Sequence, residues 1–221
     1  MTTLSRRGLL ATTGAVSLAG VLAACADTGA DGKAVASSSA SDADYDKAIN
    51  SGPVAADDVV AASAWAAAVK QAGKLVTGGT KTSEVFSWED SKTKKISGFD
   101  AAIAQALARY IIGGDDARSL LEVQQVTSDT RETVLVNGTV KAVVATYTIN
   151  PERAKKIDFA GPYYASSQAI LVKADNQDIT GVDTLTGDVA VQSNSSSAAA
   201  VKKHAPKATA KPFDTQAKCV A

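Results

Sequence analysis

Apolar and polar positions between residues 57 and 203 alternate in blocks, and these blocks predict short strands separated by helices. The apolar run at residues 142–145 is typical of a strand buried on both faces of a sheet. Residues 99–112 are predicted to form an amphipathic helix, because apolar side chains recur there at three- and four-residue spacing. These side chains are Phe99, Ile103, Leu107, Tyr110 and Ile111. Repeated strand–helix–strand units predict an α/β fold with a parallel sheet.

The remaining elements follow from the same patterns and from the glycine and proline positions that end them. Helices are predicted at residues 57–73, 131–137, 151–156 and 196–203. Strands are predicted at residues 74–77, 120–126, 169–172 and 189–191, with a further extended piece at residues 85–88. Polar residues at 175–180 interrupt this order and indicate a domain boundary.

The first 25 residues have the pattern of an export signal. Arg6 and Arg7 precede an apolar stretch over residues 14–24, which has about half the roughly 20 residues of a membrane span. The arginine pair followed by two leucines resembles a twin-arginine signal, and the general secretory route remains open. Residues 22–25, Leu-Ala-Ala-Cys, resemble a bacterial lipobox. This resemblance implies an exported protein that is lipid-anchored at Cys25 on the outer face of the cell membrane.

Residues 26–56 are rich in Ala, Ser, Asp and Gly and contain few large apolar side chains. Such a segment buries too little surface to offset its chain entropy, so a flexible tether is predicted. Because alanine favours helices, a short helix within this segment is the alternative.

Composition narrows the classes of function. The chain of 221 residues has 23 basic and 23 acidic side chains, and this zero net charge gives no electrostatic reason to expect nucleic acid as a partner. One His and two distant Cys leave little for His-based catalysis or a zinc site, so no metal and no cofactor is expected. A small-ligand binder, a carboxylate-based enzyme and an interaction module remain as alternatives.

A candidate anion site lies at residues 145–153, where a predicted buried strand passes into a helical turn. Ligands of open α/β sheets bind beyond the carboxyl ends of the strands. Arg153 is suited to hold a carboxylate there, because its guanidinium donates two parallel hydrogen bonds. The alternative is that Arg153 forms a surface ion pair with Glu152 or Asp158.

Three motifs appear in order along the chain: Gly-Phe-Asp at residues 98–100, Thr-Ile-Asn-Pro-Glu-Arg at 148–153, and Asp-Phe-Ala-Gly-Pro-Tyr-Tyr at 158–164. Together they resemble the family 3 solute-binding proteins of polar amino-acid ABC transporters. The resemblance implies an α/β, two-lobed periplasmic-binding-protein-like (type II) fold. Residues 57–175 would form the first lobe and residues 176–221 part of the second, so we expect a C-terminally truncated, incomplete second lobe.

The same resemblance implies roles for particular residues. Arg153 would clamp the α-carboxylate of an amino acid, with Thr148 donating a further hydrogen bond. The backbone of Thr146 would accept from the α-ammonium. Ser195 and Ser196 match the positions that contact the carboxylate, at the start of a helix whose N–H groups favour an anion.

Ser128 and Arg131 bear on ligand specificity, because similar residues hold the side-chain carboxylate in glutamate- and aspartate-binding members of the family. A second buried arginine would be matched by a second ligand charge. The alternative is that Arg131 caps its helix and faces solvent. Phe86 or Trp88 would form an apolar wall of the pocket, or belong to the core.

We therefore expect a lipid-anchored receptor that binds an acidic amino acid, first of all glutamate, and delivers it to the permease of an ABC importer. Three alternatives remain open. The chain would bind glutamine or another polar amino acid, it would be a truncated remnant that binds nothing, or it would be an enzyme on the same fold. The last would need a carboxylate acid or base, for which Glu84 and Glu89 are the candidates.

Overall fold

The computed structural model describes residues 41–220. The predicted leader, the lipobox with Cys25 and residues 26–40 of the predicted tether lie outside the described residues. The described part contains eight α-helices, one short 3-10 helix and eight strands, arranged in three small sheets.

Helix α1, Asp42–Asn50, lies inside the segment that was predicted to be a flexible tether. The tether prediction is therefore wrong for these residues, and the alternative of a short helix is confirmed there. The Ser41 side chain caps the helix by accepting from the Asp44 N–H. Tyr45 and Ile49 lie four residues apart on one face, where Ile49 is buried and the Tyr45 hydroxyl donates to Gln105 at 2.8 Å. This face is packed against helix α4, described below.

Residues 57–73 form two helices rather than the single predicted one. Helix α2 is Asp57–Ala61 and helix α3 is Ala64–Ala72. Ser63 interrupts them because its side chain caps α3, accepting from the Ala66 N–H at 3.3 Å. Gly73 ends α3 in a left-handed conformation with φ of 64°.

The main sheet is parallel, as predicted. Strand β1, Leu75–Gly79, lies between β5, Leu121–Gln125, and β6, Ala142–Val143, with Leu75 opposite Leu121 and Thr77 opposite Ala142. The prediction that the 142–145 run is buried on both faces is wrong for β6, whose two residues are half-buried. A small antiparallel sheet is formed by β2, Thr82–Ser83, β3, Ser87–Glu89, and β4, Ile96–Ser97.

Helix α4, Phe99–Ile112, has the predicted bounds and packs against α3 and β1. The buried core here is contributed by apolar residues of α2, α3, β1 and α4. It includes Val60, Val69, Leu75, Ala108 and Ile111. Two short helices follow at the carboxyl ends of the strands, α5, Arg131–Val136, and α6, Pro151–Ala154.

The C-terminal part contains a second parallel sheet of two strands. Strand β7, Gly187–Gln192, follows a 3-10 helix at Val182–Thr184 and pairs along its whole length with β8, Ala208–Phe213. Helix α7, Ser197–His204, connects the two strands, and helix α8, Gln216–Val220, follows β8.

Residues 169–172 do not form the predicted strand. Within residues 41–220 no strand pairs with them, and an extended segment without a partner has no hydrogen-bond ladder. Their apolar side chains are exposed instead, with 78% of Leu171 accessible.

Candidate functional site

Three connecting segments meet where the two parallel sheets approach each other. They are the 126–130 loop after β5, the 144–150 segment between β6 and α6, and the 193–196 turn between β7 and α7. Each follows the carboxyl end of a parallel strand, which is where open α/β sheets place their ligands. The residues that the sequence predicted to form hydrogen bonds with a ligand lie on these segments and in α5 and α6.

Arg153 joins two of the segments. Asn150 caps α6 by accepting from the Arg153 N–H at 2.9 Å, and this cap sets the direction in which the side chain leaves the helix. The guanidinium donates through Nη1 to the Thr148 carbonyl at 2.7 Å and through Nη2 to the Asn194 carbonyl at 2.9 Å. The guanidinium thus donates to carbonyl oxygens of both the 144–150 segment and the 193–196 turn. It does not pair with Glu152 or Asp158.

Thr148 lies opposite the start of α7. Its hydroxyl is 3.4 Å from the Ser196 hydroxyl. Ser195 accepts from the Ser197 N–H at 3.2 Å, so its side chain satisfies a backbone group in the first turn of α7. The structure therefore brings Thr148, Arg153 and Ser196 together, with Ser195 adjacent.

Gln168 belongs to the same group, although sequence reasoning did not identify it. Its amide nitrogen donates to Ser196 at 3.3 Å, and its oxygen accepts from the Ser197 hydroxyl at 2.8 Å. No local pattern singles out this residue, because it lies in the irregular stretch before residues 169–172.

Thr146 has a left-handed backbone with φ of 46°, which is unusual for a β-branched residue. Its N–H donates to Asp100 at 2.7 Å, and the other Asp100 oxygen accepts from the Tyr163 hydroxyl at 2.9 Å. Asp100 is 1% exposed, and this burial raises the pKa of its carboxyl. The Gly-Phe-Asp motif contained this residue, but its role in fixing the Thr146 backbone depends on the fold.

The 126–130 loop contacts the turn before α7 through Asp129, whose carboxylate accepts from the Asn194 side-chain amide. Asn194 itself has φ of 50°, a conformation that asparagine tolerates better than most residues. Ser128 is the half-buried neighbour of Asp129 in the same loop.

Arg131 is 6% exposed, so the alternative in which it faces solvent is wrong. Its Nη1 donates to the Ala145 carbonyl at 3.1 Å, and its Nε is buried without a hydrogen-bond partner. Burial lowers the pKa of Arg131 to about 10, and the charge of Arg153 acts in the same direction. Both guanidinium groups lie over the ring of Tyr147, with Cζ atoms 3.9 Å and 4.3 Å from its centroid, and two positive charges so near each other favour an anion beside them.

The aromatic candidates lie beside these segments. Phe86 is half-buried and packs edge-on against Tyr164, with ring centroids 5.4 Å apart, while Trp88 on β3 is 38% exposed. Glu89 pairs with Lys81 at 2.8 Å, and this hydrogen bond lowers the pKa of the carboxyl, which does not suit a general acid.

Two further findings concern residues 41–220 alone. They contain no group of three or more His, Cys, Asp or Glu side chains placed to hold a metal ion. None of the helices in this range has the length and apolar character needed to cross a membrane.

Comparison with known proteins finds relatives over about two thirds of this chain. The family model described as bacterial extracellular solute-binding proteins, family 3, matches residues 75–216. A glutamine-binding protein of Geobacillus stearothermophilus is 35% identical over 67% of this chain and 56% of its own length. The glutamate-binding protein GluB of Corynebacterium efficiens is 33% identical over 66% of this chain and 50% of its own. The chain thus spans about half the length of the curated relatives it matches.

Solved structures share the fold. The ancestral amino acid-binding protein AncCDT-1, described as a precursor of cyclohexadienyl dehydratase, superposes with a TM-score of 0.62 at 32% identity. The match covers 70% of this chain and 68% of that one. An ancestral arginine-binding protein bound to glutamine has a TM-score of 0.57 at 32% identity, over 67% of this chain and 63% of the other. The predicted α/β, periplasmic-binding-protein-like fold is confirmed.

Proposed function

Because the chain belongs to family 3 of the bacterial extracellular solute-binding proteins, we propose that it binds a polar amino acid outside the cell and delivers it to an ABC importer. Glutamate is the ligand we propose first, and glutamine is the alternative. The proposal includes no catalysis, no metal and no cofactor.

One observation carries the proposal. The Arg153 guanidinium donates to the carbonyl groups of Thr148 and Asn194. Thr148 follows β6 of the main sheet, and Asn194 follows β7 of the second parallel sheet. A planar fork aimed at oxygen atoms from two sides suits an amino-acid α-carboxylate enclosed between two lobes. In this assignment Thr148, Ser195 and Ser196 donate further hydrogen bonds to the carboxylate, and the Thr146 carbonyl accepts from the α-ammonium.

Glutamate is favoured by the second positive charge. Arg131 and Arg153 contact the same Tyr147 ring, and a ligand with two carboxylates would offset both positive charges. We assign Ser128 and Arg131 to the ligand side-chain carboxylate. Relatives named for glutamate and for glutamine are similarly identical to this chain, so the choice between them needs measurement.

The proposed arrangement of the whole protein follows the sequence predictions. Residues 57–175 form the first lobe and residues 176–221 part of the second. A signal peptide exports the chain, and a lipid on Cys25 anchors it to the outer face of the membrane beside the permease.

Calorimetric titration with glutamate, aspartate and glutamine tests the proposal. Saturable glutamate binding that is lost in Arg153→Ala and weakened in Arg131→Gln would support it. Glutamine binding that does not depend on Arg131 would keep the family role and change the ligand. A chain that is folded by circular dichroism and gives no heat with any of the three would contradict the proposal and favour the non-binding remnant.

A further inference from the structure

The side chain of Tyr147 links the two arginines of the candidate site. The Cζ atom of Arg131 is 3.9 Å from the centroid of its ring, and the Cζ atom of Arg153 is 4.3 Å from it. Both guanidinium groups therefore lie within the range of a cation–π interaction with a single ring. Two cations repel each other, and the electron-rich ring that they share offsets part of this repulsion.

The position of this ring is fixed at its other end. The Tyr147 hydroxyl donates to Glu132 Oε2 at 3.2 Å, and Glu132 Oε1 accepts from Lys156 at 2.7 Å. Phe159 packs against the ring with centroids 5.6 Å apart. The ring is thus held by groups from α5 and from the residues after α6, so it is a rigid support for whatever rests on it.

Arg131 and Arg153 differ in what else holds them. Arg131 is 6% exposed, and its Nη1 donates to the Ala145 carbonyl. Arg153 is only half-buried, and both of its other contacts are backbone carbonyls, which a ligand carboxylate would replace or share. The Tyr147 ring is therefore the contact that keeps the Arg153 fork in place when its hydrogen-bond partners change.

We infer that Tyr147 is the residue that positions Arg153 for the α-carboxylate of the ligand. This inference rests on the proposed function. It assigns to Tyr147 no contact with the ligand: the ring acts through the arginine, by limiting the orientations of the guanidinium plane. A guanidinium that is free to rotate donates fewer well-aligned hydrogen bonds to a carboxylate, so the affinity gained from a free carboxylate falls.

The test compares two ligands in the purified full chain: glutamate and its α-amide, which lacks the negative α-carboxylate. Titration gives the ratio of the two dissociation constants in wild type, in Tyr147→Leu and in Tyr147→Phe. We expect the preference for glutamate to fall about tenfold in Tyr147→Leu, since one bidentate ion pair loses its alignment. Tyr147→Phe keeps the ring and is expected to retain most of the preference. Tyr110→Leu, on α4, is the matched control.

Equal weakening of both ligands by Tyr147→Leu would overturn the inference, because a purely structural role weakens both alike. Binding of neither ligand to wild type would overturn the proposed function, and the inference with it.

A ligand-free measurement separates these cases. The NMR resonance of Arg153 Nε–H, assigned through Arg153→Lys, should carry an aromatic ring-current shift in wild type and in Tyr147→Phe. Its absence in wild type would contradict the inference even if glutamate binds, and it remains decisive if Tyr147→Leu does not fold.

Discussion

Arg153 donates a hydrogen bond of 2.9 Å to the carbonyl of Asn194, and so a side chain from α6 contacts the turn that precedes α7. The same guanidinium holds the Thr148 carbonyl at 2.7 Å through its other branch. One planar group therefore connects the segments that follow β6 and β7. A point charge on a flexible chain would not connect them in this way, because it lacks two donors in a fixed plane.

Arg153→Lys tests this geometry while keeping the charge. We expect amino-acid affinity to fall by at least about tenfold, because lysine forms no bidentate pair with a carboxylate. Calorimetric titration measures the change, and the control is Lys155→Ala, which removes an exposed ion pair between the residue after α6 and Glu152 of that helix. Unchanged affinity in Arg153→Lys would mean that the guanidinium plane is not used.

Asp129→Ala removes the side-chain contact with Asn194. Both residues are exposed, so we expect the midpoint of thermal unfolding to stay nearly constant. Ligand affinity should fall roughly two- to tenfold, which corresponds to the net contribution of one hydrogen bond. Titration and a thermal melt of the variant measure the two quantities, with the exposed Asp175→Ala as control. A large loss of thermal stability would show that the contact supports the fold rather than the approach of the two segments.

Asp100→Asn should change how stability depends on pH. Burial raises the pKa of Asp100 above its ordinary value of 3.8, so between these two values the folded chain binds more protons than the unfolded chain. Wild type should therefore lose stability relative to Asp100→Asn as the pH rises through that window, by about 1.4 kcal/mol for each pH unit that the window spans. Urea unfolding of both proteins at several pH values gives the difference, and parallel curves would contradict the expectation.

Gly98→Ala should destabilise the chain by more than about 2 kcal/mol. Gly98 has φ of 116°, and a Cβ atom there would lie 2.6 Å from the backbone carbonyl of Phe86. The matched control is Gly52→Ala, where a Cβ meets nothing within 4 Å. Denaturant unfolding measures both, and equal stabilities would show that the backbone at residue 98 adjusts without cost.

The sequence predicted the elements whose periodicity is strong. The bounds of α4 are those expected from its apolar spacing, and β1, β5 and β7 lie where apolar runs end in turn residues. The motif at residues 148–153 also identified the segment that the fold places opposite Ser196. The bounds of these elements depend on neighbouring residues in the chain, so a local pattern predicts them.

Features that depend on distant contacts were not predicted. Helix α1 has a composition typical of a linker, and its Tyr45 finds its partner Gln105 sixty residues later. The burial of Arg131 was expected only from the family resemblance, and its contacts with Tyr147 and Ala145 were not predicted, because no spacing rule connects these residues. Residues 169–172 have the composition of a strand, but a strand also requires a neighbour, and composition does not reveal whether one is present.

The exposed apolar stretch at residues 169–172 also leads us to expect a particular behaviour of this chain at high concentration. Backbone groups without a sheet partner, beside side chains as exposed as Leu171, form a template that a strand of another molecule extends. Self-association should therefore increase as the protein is concentrated, and light scattering would detect it before any loss of helix content. Leu171→Lys, which places a charge on that template, is expected to keep the molecules apart.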